Sequence, residues 1–202
     1  MIDIYLDITY SDIVWYGDCG LSDKGLPRTC VSKQCRAVPL NNKAVETLLA
    51  RWCPQYFEGT DESPPLCCDA VNVATLVEKL SIVEDIFGGC PTCLKNVFKL
   101  LCDLTCSPKQ SEFLNVTKTN KDEEYGEYVE EIQAYVAEEY LNGTYNSCKD
   151  VFTGFGNLAM DLACGDNGDS ICTAKLWYKG DPDTTNFRIM NFGVTLITKD
   201  KS

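Results

Sequence analysis

The stretch that decides the fold is Cys90-Pro91-Thr92-Cys93-Leu94-Lys95-Asn96-Val97-Phe98-Lys99-Leu100-Leu101-Cys102-Asp103-Leu104-Thr105-Cys106. Leu94, Val97, Phe98 and Leu101 recur at i, i+3, i+4 and i+7, the spacing that lays an apolar stripe along one helix face. Pro91 suits a first helical position, where its missing N–H costs nothing. The same stretch carries four cysteines, with Cys102 and Cys106 one turn apart beside the stripe. A helix that is both amphipathic and dense in cysteine reads as a core helix stapled to its neighbours.

Working outward, the same period appears at Val45-Leu48-Leu49-Trp52, Val73-Leu76-Val77-Leu80 and Tyr125-Tyr128-Val129-Ile132, each an expected core-facing helix. Asp69 stands as an N-cap, and Gly88-Gly89 is expected to end a short helix around 82–87. Residues 112–116 and the alternating Phe187, Ile189, Val194 and Leu196 read as strands. Gly154-Phe155-Gly156 and the run 164–168 read as loops. The segment 122–140 holds eight carboxylates and no Lys or Arg, and is expected to be the solvated face of a helix. The fold class is therefore α+β, a helix-rich, cysteine-rich domain with a small β-sheet, disulfide-stapled.

Across 202 residues there are 13 cysteines, a density that belongs to an oxidising compartment. Sequons at Asn115 and Asn142 point the same way. The formal charge of -12 leaves no basic footprint for nucleic acid. No apolar run is long enough to span a bilayer, and the first residues do not resemble a signal peptide. The expectation is an internal piece of a longer, exported protein.

Histidine is absent, which removes the usual general base and the commonest metal ligand. No catalytic residue, metal or cofactor is expected. Two thiol readings compete with structural disulfides: a redox pair at Cys90 and Cys93 on a helix N-terminus, and a tetrathiolate zinc site of Cys90, Cys93, Cys102 and Cys106. Structural disulfides are preferred, because a helical segment rather than a strand precedes Cys90 and the sequons imply export.

Placed in their local strings, the cysteines carry a family resemblance. Val14-Trp15-Tyr16-Gly17-Asp18-Cys19-Gly20, Cys53-Pro54, Cys67-Cys68-Asp69, Cys90-Pro91-x-Cys93, Leu104-Thr105-Cys106-Ser107-Pro108, Phe113-Leu114-Asn115-Val116-Thr117 and Tyr145-Asn146-Ser147-Cys148 resemble, in order and spacing, the N-terminal luminal sterol-binding domain of the Niemann-Pick C1 (NPC1-like) intracellular sterol transporters. The resemblance gives a domain over 13–192, with 1–12 an unmatched N-terminal extension and 193–202 an unmatched C-terminal tail. It implies bridges of Cys19 with Cys30, Cys53 with Cys102, Cys68 with Cys106, Cys93 with Cys148 and Cys164 with Cys172. Ile13 stands where the family has the partner of Cys67, which leaves Cys67 reduced or joined to the extra Cys35. The partner of Cys90 would lie beyond Ser202.

The resemblance further implies a ligand, cholesterol or a related sterol, bound hydroxyl end inward. The hydroxyl-binding positions fall on Thr29 and Asn72, where the family carries Asn and Gln, with Asp18 nearby. Pocket walls fall on Trp15, Leu76, Leu101, Phe113, Phe187 and Ile189. Leu162 and Ala163 fall on the rim used in transfer, where the family has a leucine pair. The implied partners are a Niemann-Pick C2-type soluble sterol carrier and the membrane-spanning remainder of the transporter, in the lumen of the late endosome or lysosome or a vacuole. A folate- or riboflavin-receptor-like cysteine-rich domain is the alternative.

Overall fold

The computed structural model describes residues 14–23, 25, 27–31, 37–59, 62–164, 173, 174, 177 and 193–199. Three helices form its centre: α1 (Lys43–Trp52), α2 (Ala70–Phe87) and α3 (Pro91–Cys106). Each starts where its chemistry dictates. Asn42 caps α1 by accepting from the N–H groups of Ala44 and Val45. Asp69 caps α2 in a reciprocal box with Asn72, and Pro91 opens α3. The stripes expected on all three are real: Leu49, Trp52, Val73, Leu76, Leu80, Val97 and Leu101 are buried in one cluster.

The expected separate helix around 82–87 is instead the last turns of α2, which runs unbroken to Phe87 with Gly88 at its C-cap. Expected strand 112–116 begins two residues late. Gln110–Phe113 form one helical turn, α4, and β3 then runs from Leu114 to Asp122.

The larger correction concerns 122–140. The stripe Tyr125-Tyr128-Val129-Ile132 is not helical: β4 occupies Gly126–Ala137, and helix α5 (Glu138–Cys148) follows it. Along β4, Ile132, Ala134 and Val136 are buried with the period of two that a strand requires. Irregular register opposite Glu131 places two polar residues between buried Val129 and Ile132, and this spacing of three imitates a helix. The expected solvated acidic helix face is therefore largely a strand surface whose carboxylates have cross-strand partners. Glu130 is ion-paired with Lys118 at 2.7 Å and accepts from Asn120, and Glu127 accepts from Thr119.

Two strands had no sequence signal, β1 (Trp15–Leu21) and β2 (Pro27–Val31), which pair antiparallel. Together with β5 (Gly193–Lys199) they complete a mixed five-stranded sheet. β3 lies along one edge of β4, while the other edge meets β2 at Cys30 opposite Tyr128 and β5, in parallel, over Glu131–Ala137. The tail strand expected at Val194 and Leu196 is thus present, whereas Phe187 and Ile189 lie outside the described residues. A short helix, α6 (Ala159–Cys164), precedes the tail.

Four disulfides have the expected pairing: Cys19–Cys30, Cys53–Cys102, Cys68–Cys106 and Cys93–Cys148. Three of them converge on α3, tying its start to the end of α5, and its last turns to the end of α1 and the start of α2. Both competing thiol readings fall with them, because Cys93, Cys102 and Cys106 each have a different distant partner. Cys90 keeps its thiol, which lies 3.6 Å from the Ser147 carbonyl. Cys67 is fully buried against Ala37 and Tyr16. Its suggested partner Cys35, and Cys172 opposite Cys164, lie outside the described residues.

Candidate functional site

The site is built where β1 and β2 meet the N-terminus of α2. Asn72 is the third residue of α2, so the capping box turns its side chain back toward the helix entrance. Its Oδ1 accepts from the N–H of Asp69 at 3.2 Å and, across the gap, from the N–H of Gly17 at 3.4 Å. The Asn72 N–H in turn donates to Asp69 Oδ1 at 2.8 Å. The residue is 6% exposed. With Oδ1 committed twice, the uncommitted group among the described residues is the Nδ2 donor.

Gly17 makes this approach feasible. It sits at φ 83°, a left-handed conformation that side-chain-bearing residues rarely adopt, and a Cβ there would lie 3.7 Å from Asp69 Oδ2. Sequence reasoning quoted this glycine without assigning it a role. A glycine inside a strand is itself a signal of a bulge or a close backbone approach.

One residue along β1 from Gly17, Asp18 lies opposite Thr29 of β2 in the strand register. The three predicted polar residues are not equivalent. Asn72 is buried, Thr29 half-buried, and Asp18 exposed with Oδ1 accepting from the N–H of Gly20 at 2.9 Å. Disulfide Cys19–Cys30 locks the two strands beside them.

Of the predicted wall, Trp15, Leu76 and Leu101 are almost completely buried in the same core cluster, and Phe113 packs against it half-buried. Gln110 was missed. Fully buried, it accepts from the N–H of Val14 through Oε1 at 3.0 Å and donates to the carbonyls of Leu104 and Thr105 through Nε2. It thereby fixes the start of β1, and so Trp15, against the end of α3. Nothing in the local sequence separates such a glutamine from a solvated one.

Leu162 and Ala163 lie on α6 just before Cys164. Asn115 on β3 and Asn142 on α5 are both exposed. Among the described residues no group of three or more His, Cys, Asp or Glu is placed to hold a metal, and no helix is long and apolar enough to cross a membrane.

Fold and site together define a disulfide-stapled α+β domain in which a hydrogen-bonded polar cluster at the start of α2 adjoins an apolar core. The chain belongs to the Niemann-Pick C1 N-terminal family, whose pattern, described as "Niemann-Pick C1 N terminus", matches residues 11–202. It is 35% identical over 174 residues to the pig NPC intracellular cholesterol transporter 1, covering 81% of this chain and 13% of that protein. It is 32% identical over 141 residues to the mouse NPC1-like intracellular cholesterol transporter 1, covering 69% and 10% respectively. A nematode relative, NPC intracellular cholesterol transporter 1 homolog 1 of Caenorhabditis elegans, is 30% identical over 172 residues, covering 80% and 11%. The chain thus spans little more than a tenth of the length of these relatives.

Proposed function

We propose that this domain binds cholesterol or a related sterol with its hydroxyl inward, at Asn72, Thr29 and Asp18, and that it does so as a carrier module and not as an enzyme. The observation that supports this most is the state of Asn72: a buried residue whose amide oxygen is spent on Gly17 and Asp69 and whose Nδ2 donor has no partner among the described residues. Such a donor matches the oxygen of a hydroxyl group. The hydroxyl proton then requires an acceptor, which Thr29 Oγ1 or the second Asp18 oxygen supplies, directly or through a water.

Affinity and orientation come from different parts of the ligand. A sterol is a rigid hydrocarbon plate, and burying ~400 Å² of it at about 25 cal/mol/Å² yields about 10 kcal/mol before association costs. Trp15, Leu76, Leu101 and Phe113, with Phe187 and Ile189, are the apolar wall in this reading. The single hydroxyl adds roughly 1–3 kcal/mol of discrimination, because an unmatched buried polar group forfeits about that much.

In the full-length protein the domain would face the lumen of the late endosome or lysosome, tethered to a membrane-spanning remainder. It would exchange sterol with a Niemann-Pick C2-type carrier across the rim at Leu162 and Ala163. Glycans at Asn115 and Asn142 suit their exposure and this compartment. No cofactor is needed. Competition against labelled cholesterol tests the ligand class: unlabelled sterols displace the label and folate or riboflavin does not. Displacement by the heterocycles instead would replace this reading with the receptor-like one.

A further inference from the structure

The apolar stripe of α3 is not all fully buried. Val97 and Leu101 are buried, whereas Leu94 and Phe98 remain half-buried on the adjoining face. With Trp52 they wall a groove of about 380 Å³ that runs past the 3-10 turn Pro54–Tyr56. Phe98 meets Trp52 edge-on, ring centroids 5.3 Å apart. The Cys53–Cys102 bridge joins the two walls, so the groove is preformed. None of the described residues assigned to the sterol site lines it.

Charge gives this groove a chemical preference. In a chain of formal charge -12, Arg51, Lys95 and Lys99 all stand on the lining, with Glu58 the acid among them. Lys99 is held by Asp103, which also accepts from the Tyr56 hydroxyl at 2.9 Å. Arg51 lies over the Trp52 ring, 5.2 Å from its centroid, and neither Arg51 nor Lys95 has an ion-pair partner among the described residues.

We propose that this groove is a second ligand site, one that takes a small amphipathic carboxylate: hydrocarbon against Trp52, Leu94 and Phe98, and the anion at Arg51 and Lys95. The volume lies within the range of small-molecule sites, and apolar and cationic side chains share the lining, as an amphiphile requires. This site stands apart from the sterol reading and survives its failure.

The test is calorimetric titration of the disulfide-intact chain with decanoate, and with decyltrimethylammonium as the charge-reversed control of equal chain length. Decanoate binds at one site, and the cation binds at least about tenfold more weakly. Arg51→Gln with Lys95→Gln weakens decanoate by roughly tenfold, the sum of two solvent-exposed charge contacts. Both side chains are exposed, so the double variant keeps its fold, and an unchanged far-UV spectrum checks this. Asn72→Leu leaves decanoate binding unchanged. Absence of decanoate binding, equal binding of the cation, an unaffected double variant, or loss of decanoate binding in Asn72→Leu would each overturn the proposal.

Discussion

Replacing Asn72 by Leu removes two things at once, and a ligand lacking the hydroxyl separates them. Oδ1 accepts from Asp69 and Gly17, so the variant loses two hydrogen bonds. At about 1 kcal/mol each, the domain is destabilised by about 2 kcal/mol. The unspent Nδ2 donor is lost as well, and the sterol hydroxyl then forfeits roughly 1–3 kcal/mol. Structural damage weakens all sterols alike, whereas loss of the donor weakens only those with a hydroxyl. The assay is filter binding of labelled cholesterol, competed by cholesterol and by cholestane, its hydroxyl-free hydrocarbon, on parent and variant. The parent should prefer cholesterol by about 5- to 150-fold, and in Asn72→Leu the preference should collapse toward unity, a coupling read as in a double-mutant cycle. A preference that survives intact in the folded variant would show that the hydroxyl is recognised elsewhere.

Other expectations follow from the crosslinks, the hairpin and the rim. Removing Cys93–Cys148, which closes 55 residues, by a double substitution to Ala should cost about 4 kcal/mol in urea denaturation, against about 3 kcal/mol for Cys19–Cys30, which closes 11; a reversed order would contradict a chain-entropy origin. The N–H groups of Glu124 and Tyr125, and then Arg28, hold the Asp122 carboxyl below the usual carboxylate range. Its contribution to stability is therefore complete above the unfolded value near ~3.9 and is lost as pH falls through the lower folded value. Parent and Asp122→Asn unfolding midpoints should differ by a constant amount above about pH 4 and converge below it, and a gap that widens in acid would refute the assignment. Ala163→Leu should speed sterol exchange with the soluble carrier and Leu162→Gln should slow it, with equilibrium affinity changing less than rate, as followed in a stopped transfer assay; unchanged rates in both would remove the rim from α6.

Helices α1 to α3 were legible because each carries an apolar stripe at helical period, with Asp69 capping α2 and Pro91 opening α3 as further signals. β1 and β2 were not, since Gly17 and Gly20 both take positive φ inside β1 and its register with β2 shifts twice, which erases the alternation a strand is recognised by. In β4 the register irregularity created the opposite error, a helical spacing in a strand. The polar end shows the same division. Asn72 could be singled out from its place after Asp69 and from the family strings, but the partnership of its Oδ1 with Gly17 depends on a 55-residue separation that no local pattern encodes. Likewise, periodicity identified Leu94 and Phe98 as members of the α3 stripe without revealing that they stay half-buried at the margin of the core.

The measurement closest to the central claim is equilibrium binding of labelled cholesterol to the oxidised 202-residue chain, with the Arg51→Gln, Lys95→Gln variant in parallel to set aside the groove beside Trp52. The account predicts saturable binding of one sterol per chain, equal in both proteins. Absence of saturable binding to a chain whose four mapped disulfides are intact would contradict it.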